Sequence, residues 1–528
     1  MADAVILCGY SKVRYSTKPA GAYVVANIFR SMGLSAVVLD YALAIPTERL
    51  QALLRKHVDT DTKFVCVSTT LMGPVGSNIN VMSECDALLE PYLQLAKDLA
   101  PSAKFIVGGS KITRNDLSSL PFDYQIKGQA ETVLKAVVRH ALLDEPLISS
   151  YGVVTDKVYG YSSYSTDDYL RFEDIDGVLP GETLPAEVGR GCVFKCAFCD
   201  YDLIGKKFGD FVKPFDILRQ MFLRNYEKFG TTRYQFSDDT LNDSQEKIDL
   251  IHDVSRSLPF QLEFGGYIRA ELLEKYGASK LIDAGLRGAN IGIETFNKRA
   301  GATVGKGFGE RAWKVLDNLR LAGGENLSVN INLIVGLPFD RVSDIESQAE
   351  AVVSSSSIDN VFYTPLGIPK RGNSLFSEGG WKKFYTETDA MTDSVKSSYE
   401  QHPQTQTFFD TNINWQSSEM NVSEAIDLCK KLQANFERDR PFIVNRVTAF
   451  CAMALLEHFT MQEMRTLRYD SAEPKMLARV RDKVNRYIEV MAKIDVPSTP
   501  NFVLQGEPVV PEKGFVSKIH WARHEERI

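Results

Sequence analysis

Three cysteines, Cys192, Cys196 and Cys199, stand within eight residues at a Cys-x3-Cys-x2-Cys spacing, inside Gly191-Cys192-Val193-Phe194-Lys195-Cys196-Ala197-Phe198-Cys199-Asp200. Three thiolates on one short loop can hold three irons of a four-iron, four-sulfur cube and leave the fourth open to a small molecule. Most electron-carrying clusters are instead closed by four cysteines. The competing chemistry is structural zinc, which wants four ligands in a tetrahedron. The nearest other cysteines are Cys85 and Cys429, and no histidine lies between His140 and His252, so a closed zinc site needs a distant ligand. Three unrelated buried thiols are a further alternative, but buried cysteines seldom bunch this tightly. The spacing favours the open cluster.

The elements around the loop alternate strand and helix. Leu184 to Val188 reads as a strand leading into it, followed by strands at Arg233–Phe236, Gln261–Phe264, Ala289–Ile293, Ser328–Val335 and Asn360–Tyr363, each separated by a helical pattern. Six such units in series imply a parallel TIM-type barrel, or a part-barrel that does not close. Strand ends converge on one face of such a fold. After the cysteine loop they deliver Asp238 and Asp239, Arg269 and Glu294, with Asn332 and Tyr363 in the fifth and sixth strands. Acidic and amide groups suit a ligand carrying an amine and a ribose, and Arg269 suits a carboxylate. The commoner job of strand-end Asp and Arg is to cap helices or pair with neighbours.

The N-terminal part alternates in the same way, with strands at Ala4–Leu7, Ala36–Leu39, Phe64–Ser68 and Phe105–Val107, and predicts a doubly wound parallel sheet. Such sheets bind ligands at the carboxyl ends of their strands. Thr69-Thr70-Leu71-Met72-Gly73 and Gly108-Gly109-Ser110 lie there, where small residues let a flat or phosphate-bearing ligand approach the backbone or simply make turns. Beyond Gly372 the strand signal gives way to amphipathic helices. The expected organisation is α/β, with a Rossmann-like unit at 1–147, a linker at 148–183, a partial (β/α)6 barrel at 184–380 and a helical region at 381–528.

At 528 residues, two or three domains are expected. A hydrophobic content of 44%, a charged content of 24% and a net charge of −7 describe a soluble globular protein without a broad nucleic-acid-binding surface. Eight cysteines in so long a chain make no disulfide framework. The N-terminus has no signal-peptide pattern, and no run of about eighteen apolar residues predicts a membrane span. A cytoplasmic location is expected.

Arg190-Gly191-Cys192 through Cys196-Ala197-Phe198-Cys199, with the aromatic Phe198 before the third cysteine, resembles the signature of the radical S-adenosylmethionine (SAM) superfamily. The similarity extends through Phe236-Ser237-Asp238-Asp239, Ile291-Gly292-Ile293-Glu294-Thr295, Gly305-Lys306 and Ile334-Val335-Gly336-Leu337-Pro338. Val107-Gly108-Gly109 and Lys127-Gly128-Gln129-Ala130-Glu131 resemble the subgroup with an N-terminal cobalamin-binding-type domain.

The resemblance implies that Cys192, Cys196 and Cys199 hold a [4Fe-4S] cluster whose open iron chelates SAM. One electron then splits the sulfonium into methionine and a 5′-deoxyadenosyl radical, which abstracts hydrogen from an unactivated carbon. It places Phe198, Asp238, Asp239, Arg269, Glu294 and Asn332 near SAM, and Thr70, Leu71, Gly108, Gly109 and Gly128 near a cobalamin. It also implies a small-molecule or peptide substrate and an electron donor such as flavodoxin or ferredoxin. The family's Asp-x-His-x-x-Gly cobalt-ligand motif is missing, although many relatives in the subgroup lack it. With cobalamin, carbon methylation leads; without it, rearrangement, oxidation or sulfur insertion remain. The alternative of another class is a non-catalytic Fe–S electron-transfer or binding protein.

Overall fold

The computed structural model describes residues 1–9, 17–69, 82–109, 122–150, 152–160, 170–201, 203–207, 209–370, 372, 374–496, 499 and 504–505, with side chains at 82–88, 403–404 and 407 left aside. Two six-stranded parallel sheets organise it. The first contains β1 (Ala4–Leu7), β2 (Ala36–Leu39), β3 (Phe64–Ser68), β4 (Lys104–Gly108), β5 (Tyr124–Lys127) and β6 (Val153–Thr155), in the order β2-β1-β3-β4-β5-β6. Its leading strands are unbroken apolar runs, Ala4-Val5-Ile6-Leu7 and Ala36-Val37-Val38-Leu39, buried on both faces as helix-covered parallel strands must be. Chain direction across the sheet reverses between β1 and β3, which opens a crevice at their carboxyl ends.

The second sheet runs in sequence order: β7 (Leu184–Ala186), β8 (Arg233–Phe236), β9 (Glu263–Ile268), β10 (Leu286–Glu294), β11 (Ser328–Val335) and β12 (Asn360–Pro365). Among the described residues β7 and β12 are its two free edges, so the barrel is open. Side chains alternate across it. Tyr234 and Phe236 face out, where Phe236 stacks on Phe264 at 4.6 Å and Tyr234 meets Phe222 of helix Phe215–Phe229 at 4.7 Å. Asn290, Asn330 and Asn360 share one register across β10, β11 and β12.

Several boundaries differ from the sequence reading. β9 continues through Gly265 and Gly266 rather than ending before them. Gly265 and Gly288 serve close approach: helix Ala449–Leu455 lies against β9 and β10, where a Cβ on Gly265 would stand 2.8 Å from Met453 Cγ and one on Gly288 2.8 Å from the Ala449 carbonyl oxygen. The helical pattern between β9 and β10 is two helices, Ala270–Tyr276 and Ser279–Asp283, broken at Gly277. Helix Gln245–Arg256 is capped by Ser244, whose side chain accepts the Lys247 N–H. A helix runs from Met82 to Leu99 with Pro91 inside it. Within the expected linker, residues 153–155 supply the sixth strand of the first sheet.

The C-terminal helices clamp the two sheets together. Helix Val422–Asp439 covers β12 and helix Tyr469–Lys493 reaches back to the first sheet. There Tyr487 Oη donates to the Val38 carbonyl at 2.9 Å and accepts the Asp40 N–H at 2.8 Å. Lys483 Nζ lies 3.0 Å from Glu182 and 3.2 Å from Glu457, and Lys18 lies 4.0 Å from Glu182. Burial opposes the Glu182 charge, yet Lys18 and Lys483 hold its pKa below the ordinary carboxylate value. Breaking a buried pair leaves an uncompensated charge. Lys483→Met should therefore weaken denaturant unfolding stability by about 3 kcal/mol, and a loss under about 1 kcal/mol would contradict this role.

Candidate active site

The cysteine loop leaves β7 and crosses the end of β8, where a buried carboxylate fastens it. Asp238 Oδ2 accepts the Val188 N–H at 2.9 Å and Oδ1 accepts the Gly189 N–H at 2.7 Å. Lys247 Nζ sits 2.8 Å from Asp238 Oδ1 and donates to the Thr240 carbonyl at 2.8 Å. Burial works against the Lys247 ammonium, but Asp238 and Asp243 overcome it and raise its pKa. One residue on, Asp239 Oδ2 accepts the Gly191 N–H at 2.8 Å. Gly191 has φ +74, and a Cβ there would stand 2.5 Å from the Leu203 carbonyl oxygen, so the turn needs glycine.

Each thiol has a polar neighbour or an opening. Cys192 Sγ lies 3.2 Å from Thr240 Oγ1. Cys196 Sγ accepts from Arg269 Nη1 at 3.3 Å. Cys199 is partly exposed to the cavity described below. The Arg269 guanidinium lies 3.6 Å over the Phe194 ring, donates to the Gly305 carbonyl at 2.5 Å and pairs with Glu271 at 3.2 Å. Its backbone exchanges hydrogen bonds of 2.9 and 3.0 Å with the Asn242 side chain. Burial, with the neighbouring thiols adding, pushes Cys199 up to about 11. Burial thus disfavours the Cys199 thiolate when no cation is bound, and a bound metal reverses that preference. The seven cysteines with described side chains are all free. Among the described residues no trio of His, Cys, Asp or Glu converges on a single ion. Thiolates that each bind a different iron of a cube need no such convergence.

The remaining sequence-selected residues divide between two faces. Asp238 is 1% exposed and its oxygens are taken up by the loop and Lys247, so it is a fastener beneath the loop rather than an open ligand group. Asp239 and Glu294 are partly accessible at the barrel mouth. Burial raises the pKa of both, with Asp238 and Glu187 adding to the effect at Asp239 and Lys306 opposing it at Glu294. Glu294 adopts φ +65, a strained conformation for a residue with a side chain, and Lys306 lies 3.3 Å from its Oε1. Asn332 stands in register between Gly292 and Phe362.

A cavity of 1310 Å³ joins the two sheets. Phe198, Cys199 and Tyr201 of the cluster loop line it, as do Ser68, Gly108, Gly109 and Gly128 at strand ends of the first sheet. Thr70 and Leu71 lie outside the described residues. Arg190 spans the junction, 2.7 Å from Glu187 and 2.5 Å from Glu131 on helix Ala130–Leu143. Lys247, Thr240 and Arg190 escaped the sequence reading as site residues. The available signal for Lys247 was a lysine on the apolar face that also carries Ile248, Ile251 and Val254.

Residues 186–351 match the model of the Radical SAM superfamily. The fold is similar to that of the radical S-adenosylmethionine methyltransferase TsrM from Kitasatospora setae, solved with cobalamin and a [4Fe-4S] cluster bound. That match has a TM-score of 0.62 and 12% identity, and covers 91% of this chain and 100% of that one. A second TsrM structure, with tryptophan substrate and a SAM analogue, matches at TM-score 0.62 and 12% identity over 90% and 99% of the two chains. The cobalamin-dependent radical enzyme OxsB with aqua-cobalamin matches at TM-score 0.52 and 11% identity over 92% and 80%. At these identities the likeness is one of fold. A comparison with curated protein sequences found no match. The chain carries a radical SAM domain and shares its two-sheet architecture with cobalamin-bound radical SAM proteins.

Proposed function

We propose that this protein is a cobalamin-dependent radical SAM enzyme that methylates a carbon of its substrate. The observation that carries the reading is the shared cavity: the cysteine loop and the carboxyl ends of the first sheet face one another across one space. Typical small-molecule pockets are about 300–1,000 Å³, so 1310 Å³ exceeds the usual space for one drug-sized ligand.

The residues present fit both groups. Three thiols are the soft donors an iron–sulfur cluster takes, and Arg269 and Thr240 place polar atoms beside Cys196 and Cys192. Gly108 and Gly109 keep side chains away from the end of β4, where a flat macrocycle needs backbone access. When bound, the cluster supplies one electron to SAM and cobalamin supplies a methyl carrier.

The chain's own contribution is positioning. Asp238 and Lys247 fix the loop, and Asp239 holds the turn at Gly191. Arg269 restrains Cys196 through the same guanidinium that bonds Gly305. Glu294, held by Lys306, presents an acidic edge at the barrel mouth for the amine or ribose of SAM, with Asn332 beside it in the next strand. Phe198 faces the cavity for the adenine end. Arg190, between Glu187 and Glu131, keeps the cluster loop in register with the first sheet.

Two outcomes follow. Cys196→Ala should abolish both the brown cluster absorbance and reductive cleavage of SAM to 5′-deoxyadenosine; an intact cluster with normal turnover would refute the site. Gly21 of helix Ala20–Ser31 lines the cavity, with nothing within 4 Å of where its Cβ would stand. The full-length protein should bind hydroxocobalamin stoichiometrically in a visible titration, and Gly21→Phe should lose that uptake while keeping SAM cleavage. A flat wild-type titration would retire cobalamin, and undiminished binding by the variant would move it elsewhere.

A further inference from the structure

The cluster loop and the first sheet account for only part of the cavity. A further arm runs past the end of β12 into the C-terminal helices Asp393–Gln401, Pro403–Thr411 and Val422–Asp439. Its wall is mainly apolar, with Leu366, Val395, Phe408 and Ile426. Two lining residues carry polar groups that the protein leaves underused. Tyr363 is 8% exposed and its hydroxyl has no hydrogen-bond partner in the described structure. Lys430 is 57% exposed at its side chain, and its ammonium is 3.6 Å from Asp427 Oδ1. That carboxylate already accepts from Thr392 Oγ1 at 2.6 Å and Ser394 Oγ at 3.0 Å, so it is an incomplete partner for the lysine.

The arm is also tied to the reaction centre. The segment after β12 is hydrogen-bonded to the cysteine loop: Ser374 N–H donates to Asp200 Oδ1 at 2.7 Å and Phe376 N–H to the Ala197 carbonyl at 2.8 Å. Phe198 and Cys199 line the same cavity as Lys430, so one end of a molecule in the arm would approach the cluster loop while the other would reach Lys430.

We infer that this arm is the substrate site, and that it takes a molecule with an apolar body and an anionic end. The apolar body packs on Leu366, Val395, Phe408 and Ile426. An acceptor on it engages the Tyr363 hydroxyl, and Lys430 receives the anion. This inference rests on the proposed function for what happens to the bound molecule, but the binding itself needs neither cluster nor SAM.

The test is photolabelling of the full-length, cluster-reconstituted protein with 4-benzoylbenzoate, which combines two aromatic rings with a carboxylate. Adducts should map to residues 395–433 or to Leu366. Lys430→Glu should cut their yield by about fivefold, the scale of one partly exposed charge contact. Ile426→Trp, which fills the arm, should remove them. If that variant fails to fold, the surface change at Lys430 still decides. Adducts confined to other segments, or a yield unchanged by Lys430→Glu, would overturn the assignment. SAM cleavage measured on the same samples separates the two claims. Labelling sensitive to both variants in a protein that cannot cleave SAM would sustain the arm and reject the proposed function.

Discussion

A single buried carboxylate underlies the geometry of the site. Asp238 takes two consecutive backbone N–H groups from the chain leaving β7, and Lys247 neutralises it from the following helix. Backbone donors with no partner are costly when buried, and a buried charge without a counter-ion costs more. Satisfying each with the other leaves the start of the cysteine loop little alternative position. Three thiols separated by loop residues can present a fixed face to a cluster only if that start is fixed. Asp239, bonded to Gly191, and Arg269, bonded to Cys196, extend the same restraint along the loop.

The second requirement is that two sheets face one cavity, and the C-terminal region is what meets it. Helix Ala449–Leu455 lies against the glycines of β9 and β10, while Lys483 and Tyr487 bind Glu182, Val38 and Asp40. The region read from sequence as a set of amphipathic helices thus sets the separation of the sheets and walls one arm of the space between them. A reaction between groups on different sheets depends on such fixed spacing.

Much of this was legible in the sequence because it is local. The cysteine spacing, the apolar strand runs and the repeated strand–helix units each reflect neighbouring residues. What was not legible depends on partners far along the chain. Asp238 and Asp239 look equivalent as a pair, but they bind different backbone groups of the loop and differ in burial. Asp238 is sealed beneath the loop with Lys247, while Asp239 holds the turn at Gly191 and stays partly accessible at the mouth. The strand reading stopped at Phe264 because nothing nearby announced that the helix from residues 449–455 packs on Gly265. The strand at Val153–Thr155 is three residues long and is recognised by its pairing with β5, so its own composition carried little signal.

The account's central claim is that three cysteines leave one iron of the cluster free for SAM. Mössbauer spectroscopy of ⁵⁷Fe-reconstituted, oxygen-free protein tests it most directly. Addition of SAM should change the signal of one iron in four while the other three keep theirs. A spectrum of four protein-ligated irons that SAM leaves unaltered, or protein that takes up no cluster, would contradict it.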